Sequence, residues 1–343
     1  MLQNNHTIIQ KKSKIKLSSI SFSSICLSIA IFVILILILT DPITYSQSIM
    51  RGITTFFKAV FPGLLPFMFL CKILTKLNIS ALFKPLNNFS LKIFGVDYNG
   101  LYAFFMSSIS GYPIGSKITS DLYINKQINQ SQVLKTAIIS STPGPIFVIG
   151  TVGAIMLRNI KFGIIVYISN LISVLLFSII LNAFSKSKSQ NQNQMPINEK
   201  TSFLNIISSC ALDTIKGLLT VAFFISIFSL FIDLLSNLKI FNIISNLISS
   251  LSPTLPNLSS IIKGVMSGII EMTTGIKSLS SNVNSSNLCL VALLTGFSGI
   301  SIIMQSLTFL NQTNFKTGKF ILAKLCHSLI SCLICFVICI IIF

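Results

Sequence analysis

Charged residues are scarce in this sequence, and acidic residues are the scarcest of them. Only 9% of the 343 residues are Asp, Glu, Lys or Arg, seven of these are acidic, and tryptophan is absent. The hydrophobic fraction is 52% and the mean hydropathy is +0.85. This composition excludes the soluble globular classes and predicts a polytopic membrane protein that lies in a lipid bilayer.

Catalytic motifs are also missing. The chain contains two histidines, His6 and His327, with no H-E-x-x-H segment and no G-x-x-x-x-G-K phosphate loop. Serine is plentiful, but no base and orienting acid accompany it in a recognisable pattern. We therefore expect no enzyme activity and no cofactor. A single histidine in an apolar segment cannot build a metal site, so we interpret His327 as a packed polar contact and expect no metal.

The eight cysteines fall mostly inside apolar segments, which indicates no disulfide framework. Cys332, Cys335 and Cys339 recur at helical spacing in the last apolar segment, and the first two form a C-x-x-C pair. A redox or metal motif needs a polar, accessible setting, which this segment lacks. The favoured interpretation is that these thiols are small packing residues.

The net charge of +18 comes mainly from lysines that cluster between apolar segments. In a soluble protein this charge would suggest nucleic acid as a partner. Lysine at the ends of membrane helices is what topology and snorkelling require, so no nucleic acid is expected here. By the positive-inside rule, the lysines of residues 1–17 place this polar N-terminus in the cytoplasm.

The chain is predicted to divide into an anchor helix and two repeats. An uncleaved transmembrane anchor is expected over residues 18–40, since the apolar run lacks the small-residue ending of a signal peptide. Residues 185–202, SKSKSQNQNQMPINEKTS, are predicted to form a flexible cytoplasmic linker. Gate-type repeats are expected over 51–184 and 203–343. The segment FPGLLPF, which begins at Phe61, is expected to break or strongly kink its helix.

Residues 107–117, SSISGYPIGSK, are the feature around which the first repeat is organised. Two glycines and a proline within five residues predict a helix break at membrane depth. Non-helical backbone is tolerated there only inside protein or along a wet cavity, so the break is a candidate binding site. A packing kink is the structural alternative. A second break is predicted at residues 140–145, SSTPGP.

Both breaks have counterparts after the linker. Residues 268–277, GIIEMTTGIK, correspond to the first break, and residues 296–301, GFSGIS, to the second. The first half is expected to enter the membrane from outside and the second from the cytoplasm, so the halves should have opposite orientations. Inverted repeats with paired broken or re-entrant helices are typical of secondary transporters with a site at the midplane.

Glu271 is the strongest single candidate for a functional residue. A carboxylate within an apolar run is costly in a membrane, and by default it marks a transport pathway or a coupling site. It could coordinate a cation, accept a proton or pair with Lys117 of the other repeat. A structural ion pair or a helix cap is the alternative. Lys117 and Lys277 follow the matched breaks, where helix N-termini attract anions, unless both simply mark membrane interfaces.

The candidate substrate-binding residues come from all four breaks. They are Ser110, Gly111, Tyr112, Pro113, Gly115, Lys117, Thr142, Pro143, Gly144, Glu271, Thr273, Thr274, Gly275, Lys277 and Ser301.

At the segments SGYPIGSK, SSTPGPIFVIG, GIIEMTTGIKSL and GFSGISIIMQSL the chain resembles the YlbJ-type sporulation integral membrane proteins, of the nucleoside-recognition or gate-domain family. The resemblance covers the chain from about Arg51 onward. It implies an all-α fold with two inverted repeats, similar to concentrative nucleoside transporters. It also implies a location in the mother-cell-derived membrane around the forespore, and an association with moving dipicolinic acid from the mother cell towards the forespore.

The expected function is therefore alternating-access transport of a small organic anion. Dipicolinate is a planar dianion that suits Lys117, Lys277 and the helix ends at the breaks. A coupling proton or cation and a homo-oligomer are left open as partners. Two alternatives are kept: transport of a nucleoside or another neutral solute, and a non-transporting membrane scaffold in spore assembly.

Overall fold

A computed structural model describes residues 22–184, 202–251, 258–280 and 285–342. This part of the chain is helical and contains no strand. Six of its helical segments are long and apolar enough to cross a membrane: Ser23–Thr40, Pro42–Lys76, Ile160–Ala183, Phe203–Asn237, Asn287–Thr313 and Thr317–Ile342. The prediction of an all-helical, polytopic membrane protein is confirmed.

The chain divides into two compact units between Tyr45 and Ser46. Helix α1, Phe22–Thr40, belongs to the first unit and covers the described part of the predicted anchor. Its sequence is apolar without charge, and its side chains are largely exposed, as a lipid-facing helix requires. The predicted polar N-terminus, 1–17, and residues 185–201 of the predicted linker lie outside the described residues.

The first half of the chain contains a long helical segment and then a series of shorter helices. Its elements are α2, Pro42–Thr55; a π-helical segment, Phe56–Val60; α3, Phe61–Lys76; a 3₁₀ segment, Ile79–Leu86; α4, Asn87–Ile93; α5, Tyr98–Ser110; α6, Ile114–Ile124; α7, Gln130–Ile139; a second π-helical segment, Ile146–Met156; and α8, Ile160–Ala183.

The predicted break at FPGLLPF is wrong, since helix continues from Pro42 to Lys76, and the kink that was the other expectation stays a prediction. Pro62 lies in the first turn of α3, directly after the π-helical segment. A proline is tolerated there because its ring meets no preceding α-helical turn and its missing N–H is not needed. Pro66 is accommodated inside α3.

The second half repeats this order of elements. A long helix, a short helix, two interrupted helix pairs and a closing long helix occur in each half. The elements are α9, Phe203–Asn237; α10, Ile240–Leu251; α11, Leu258–Ile270; α12, Met272–Leu279; α13, Ser285–Phe297; α14, Gly299–Leu310; a 3₁₀ turn, Asn311–Thr313; and α15, Thr317–Ile342. The opposite orientation of the halves and the likeness to concentrative nucleoside transporters stay predictions.

The closing helices of the two halves, α8 and α15, pack against each other and against α13. Small residues allow the close approach: a Cβ on Gly296 of α13 would lie 2.9 Å from Ser328 Cα of α15. One apolar cluster crosses both halves and includes Tyr112, Val166, Met272 and Leu294. This packing brings the interrupted helices of the two halves together at the centre of the second unit.

Candidate functional site

The first break has the geometry that its glycines predict. Helix α5 ends at Ser110, and Gly111 takes a φ of 84°, which strains a residue with a side chain. A Cβ on Gly111 would also lie 2.5 Å from the nitrogen of Gly144 in the second break. Glycine is therefore required at position 111 both by its backbone conformation and by the close contact.

The second break leaves residues 140–144 without helical structure between α7 and the second π-helical segment. The N–H of Tyr112 donates to the carbonyl of Thr142 at 2.8 Å, and the Ser107 hydroxyl donates to the carbonyl of Ser140. The non-helical backbone of the first break is therefore hydrogen-bonded to that of the second break inside the protein. Buried backbone groups that lack helix partners must find such bonds.

The third break is centred on Glu271. Helix α11 ends at Ile270, and the extended backbone of Glu271 turns the chain into α12. The carboxylate accepts the N–H groups of Thr273 at 3.0 Å and Thr274 at 2.8 Å, and the Thr274 hydroxyl at 2.8 Å. Glu271 is buried, and it acts as the N-cap of α12 with a negative charge at the positive end of that helix.

Lys117 does not pair with Glu271, so the ion pair considered for this carboxylate does not form. Its Nζ lies 2.7 Å from Oδ1 of Asp121, one turn further along α6. Side chains four residues apart on a helix are neighbours, so this local pair forms readily, whereas the Glu271 oxygens are occupied by the cap. The observed hydrogen bonds of Glu271 are those of a helix cap, which was the structural alternative.

The fourth break lies between α13 and α14 at Ser298 and Gly299, each with a φ of 73°. A Cβ on Gly299 would lie 3.1 Å from the oxygen of Gly268 and 3.1 Å from the nitrogen of Met272. The third and fourth breaks are thus also packed against each other, though less tightly than the first and second. Buried Ser301 lies in the first turn of α14.

A cavity of about 70 Å³ lies where the two pairs of breaks face each other. Tyr112 connects the halves, since its Oη donates to the carbonyl of Thr295 at 3.2 Å and lies 3.0 Å from Sδ of Met272. Seven predicted site residues line the cavity: Ser110, Gly111, Tyr112, Pro113, Gly144, Glu271 and Thr273.

A second, larger cavity of about 580 Å³ adjoins the first, because Ala59 and Thr273 line both. We call it the basic vestibule. Its charged lining residues are Arg51, Lys58, Arg158, Lys277 and Asp233. Arg51 forms an ion pair with Asp233, so no other carboxylate of the described lining balances the remaining three cations.

The other predicted residues lie around these cavities. Thr274 and Lys277 face the vestibule. Gly115, Thr142, Pro143, Gly275 and Ser301 are buried but do not line either cavity. Gly115 and Gly275 allow backbone contact, because a Cβ at these positions would overlap with the oxygen of Ser140 and with Cα of Gly268. These residues shape the site without facing it.

Sequence reasoning missed two groups near the breaks. Gln305 lines the first cavity, and its Oε1 is buried without a hydrogen-bond partner. Lys324 of α15 is buried, and its Nζ donates to the carbonyl of Ser141 at 3.0 Å. The signal for Lys324 was present, because a lysine enclosed by FILA and LCH within a long apolar segment is costly in a membrane.

The cysteines and histidine of α15 lie apart from the cavities. The Sγ atoms of Cys289, Cys335 and Cys339 all lie within 4.8 Å of one another, so three thiol ligands come together there. Their surroundings are the apolar side chains of the cluster that crosses both halves, which suits packing thiols. His327 is buried with Nε2 3.2 Å from the carbonyl of Asn170, so the predicted packed polar contact is confirmed.

Comparison with known proteins agrees with the resemblance. The chain is 24% identical over 312 residues to the sporulation integral membrane protein YlbJ of Bacillus subtilis (strain 168). The alignment spans 84% of this chain and 76% of that protein. No family model and no solved structure matches the chain. The resemblance to YlbJ-type membrane proteins is therefore confirmed.

Proposed function

We propose that this protein is a sporulation membrane transporter that moves a small organic anion, with dipicolinate as the solute, through the paired helix breaks. The observation that carries this proposal is the cavity lined by the first three breaks, which adjoins the basic vestibule. Broken helices that enclose a central cavity are the arrangement in which transporters bind solutes. The membrane derived from the mother cell, around the forespore, is the proposed location.

The positions of the vestibule cations support an anionic solute. If the linker after α8 is cytoplasmic, as predicted, then Arg158, which precedes α8, lies at the opposite end of that helix. The positive-inside rule concentrates Lys and Arg on the cytoplasmic side, so topology does not explain a basic cavity on the other side. A cavity lined by one sign of charge raises the local concentration of the opposite ion.

A charge cluster at the other side supports alternating access. Nζ of buried Lys72 lies 3.8 Å from Asp213, and Lys117 and Asp121 also interact electrostatically with Lys72. These four residues belong to α3, α6 and α9. We assign them to a cytoplasmic gate that is closed while the vestibule is open. Separation of α6 from α3 and α9 would then open the site to the cytoplasm.

One observation favours a second candidate, transport of a neutral solute rich in hydroxyl groups, such as a nucleoside. Among the residues that the structure describes, Glu271 is the one acidic residue that lines the smaller cavity. A carboxylate there accepts hydrogen bonds from hydroxyl groups and repels a dianion. The cap of α12 offsets part of this repulsion, because it places the charge against helix N–H groups.

Uptake into vesicles that contain the purified protein tests both candidates. We expect saturable uptake of labelled dipicolinate that an excess of nucleoside does not inhibit. The double substitution Arg158→Gln with Lys277→Gln should raise KM about tenfold and remove most of the salt dependence of uptake. Lys161→Gln with Lys239→Gln is the matched control, because both lysines are exposed outside the vestibule lining.

Two results would contradict the proposal. Nucleoside uptake in the absence of dipicolinate uptake would favour the second candidate. In cells, normal dipicolinate content in spores that lack the protein would exclude dipicolinate as its solute.

A further inference from the structure

Lys324 is an ammonium group in the interior of the protein with no acidic partner. It is 2% exposed, and none of the ion pairs among the described residues includes it. It therefore does not extend to a membrane surface as a topogenic lysine does. A charge buried at this depth is retained only when surrounding groups bind it or when function requires it.

The two contacts of this ammonium both come from helix breaks. Nζ donates to the carbonyl of Ser141, in the unwound backbone of the second break, at 3.0 Å. It also lies 5.4 Å from the ring centre of Tyr112, in the first break. A carbonyl of non-helical backbone and an aromatic face are groups that bind a small cation. The lysine thus occupies the position that a bound cation would take between the two breaks.

The titratable groups that face Lys324 are Tyr112, from the first break, and His327, one turn further along α15. Helices α7, α8 and α13 pack against α15, but no charged side chain on their described residues interacts with the ammonium. No carboxylate among these groups therefore stabilises the positive charge of Lys324. Loss of the proton leaves a neutral amine, which needs no counter-ion.

Tyr112 connects this ammonium to the transport site. Its ring lies against Lys324 and also lines the cavity, and its hydroxyl reaches Thr295 and Met272 in the other half. Movement of this ring would expose Nζ to the cavity. A positive charge behind the ring therefore holds the first two breaks together and stabilises the observed position of Tyr112.

We propose that Lys324 carries the coupling proton of the transport cycle, which names the driving ion of the proposed function and rests on it. In the protonated state the ammonium holds the Ser141 carbonyl and the Tyr112 ring. When Tyr112 moves, one N–H bond of the ammonium breaks, its electron pair stays on Nζ, and the proton passes to water in the cavity. The neutral amine binds the carbonyl and the ring more weakly, so the two breaks can separate.

Vesicles with a clamped membrane potential test the coupling. A gradient of one pH unit should change dipicolinate accumulation by wild-type protein about tenfold, as expected for one proton per cycle, and a sodium gradient should not. Lys324→Met and Lys324→Arg should both abolish the response, since Met has no proton and Arg does not release one. Lys319→Met is the control, because Lys319 is an exposed lysine of the same helix. A pH response retained by Lys324→Met would overturn the proposal.

A second measurement does not depend on the solute. In protein labelled with ¹³C-lysine, the ε-carbon resonance that disappears in Lys324→Met or Lys324→Arg identifies Lys324. We expect this resonance to reach the neutral-amine position within the pH range of the uptake assay. If it keeps the ammonium position throughout that range, Lys324 is a fixed structural cation and the proposal is wrong. If it reaches the neutral-amine position but dipicolinate is not transported, the solute assignment fails while the proton site stands.

Discussion

Glu271 illustrates at the scale of one residue how a carboxylate can persist inside a membrane protein without a cation beside it. Two backbone N–H groups and one hydroxyl bind its oxygens at 2.8 to 3.0 Å. The positive end of α12 supplies the compensation that an ion pair with Lys117, one of the options for this carboxylate, would have given. The same side chain lines the cavity, so its charge acts on the solute as well as on the helix.

Replacement of Glu271 with Gln separates these two roles. The variant should insert normally and lose about 1 kcal/mol of stability, because a neutral amide caps a helix less well than a carboxylate. Uptake into vesicles should fall about tenfold, since the altered cap changes both the third break and the cavity wall.

The matched control for Glu271→Gln is Asp97→Asn. Asp97 is also a helix N-cap, whose side chain accepts the N–H of Gly100 at 2.9 Å, but it does not line either cavity. We expect Asp97→Asn to leave uptake unchanged. Full uptake by Glu271→Gln would reduce Glu271 to a structural cap.

Paired breaks are the unit of the site at the scale of elements. Within each half, a glycine with positive φ packs against backbone of the adjacent break: Gly111 against Gly144, and Gly299 against Gly268 and Met272. The contact at Gly111 leaves no room for a methyl group and that at Gly299 is tight, so the two breaks of a pair are expected to move together.

Substitution of Gly111 by Ala tests the pairing. The added Cβ would lie 2.5 Å from the Gly144 nitrogen in a backbone conformation that disfavours side chains. We expect a loss of roughly 1–3 kcal/mol in stability and a loss of uptake, measured by thermal unfolding in detergent and by vesicle assay. Gly299→Ala should behave similarly, for the same reason.

Gly150→Ala provides the control for these glycine substitutions. A Cβ at Gly150 meets no atom within 4 Å, and this residue lies in the second π-helical segment away from the breaks. The variant should keep wild-type uptake. Equal tolerance of alanine at positions 111 and 150 would show that the tight pairing of the breaks is not needed for transport.

The whole second unit has a charge asymmetry that matches a transport path. The basic vestibule continues into the cavity at the breaks, and the Lys72 cluster connects α3, α6 and α9. If the halves are inverted, the loop between α6 and α7 faces the cytoplasm and the turn after α9 faces the opposite side. The vestibule then opens away from the cytoplasm.

Cysteine labelling tests this orientation in intact, non-sporulating cells that produce the protein in the plasma membrane. Leu238→Cys, after α9, should react with a membrane-impermeant maleimide added outside, because this residue is exposed at the predicted outer end. Lys126→Cys, after α6, should react only after the cells are permeabilised. Wild-type protein gives the background from the native cysteines, most of which are buried. Labelling of both variants from the same side would exclude the inverted arrangement.

The amino-acid sequence was sufficient for features that depend on local chemistry. Low charge and long apolar runs predicted a helical membrane protein, since backbone groups in lipid must bond within their own segment. Glycine and proline predicted the first two breaks, because their effect on helix is local, and comparison of the halves predicted the other two. No break forms at FPGLLPF, where a π-helical segment places Pro62 in the first turn of the next helix.

Only the tertiary structure decided which side chains meet. Lysines look alike in a sequence, but packing buries Lys324 between two breaks, pairs Lys117 with its own helix and turns Lys277 towards the vestibule. The partner of Glu271 was likewise set by the course of the backbone after Ile270. Charges act over a few ångströms in space, so their roles depend on contacts between residues far apart in the chain. Composition and local pattern therefore determined the class of protein and the breaks, and packing determined which charges act on them.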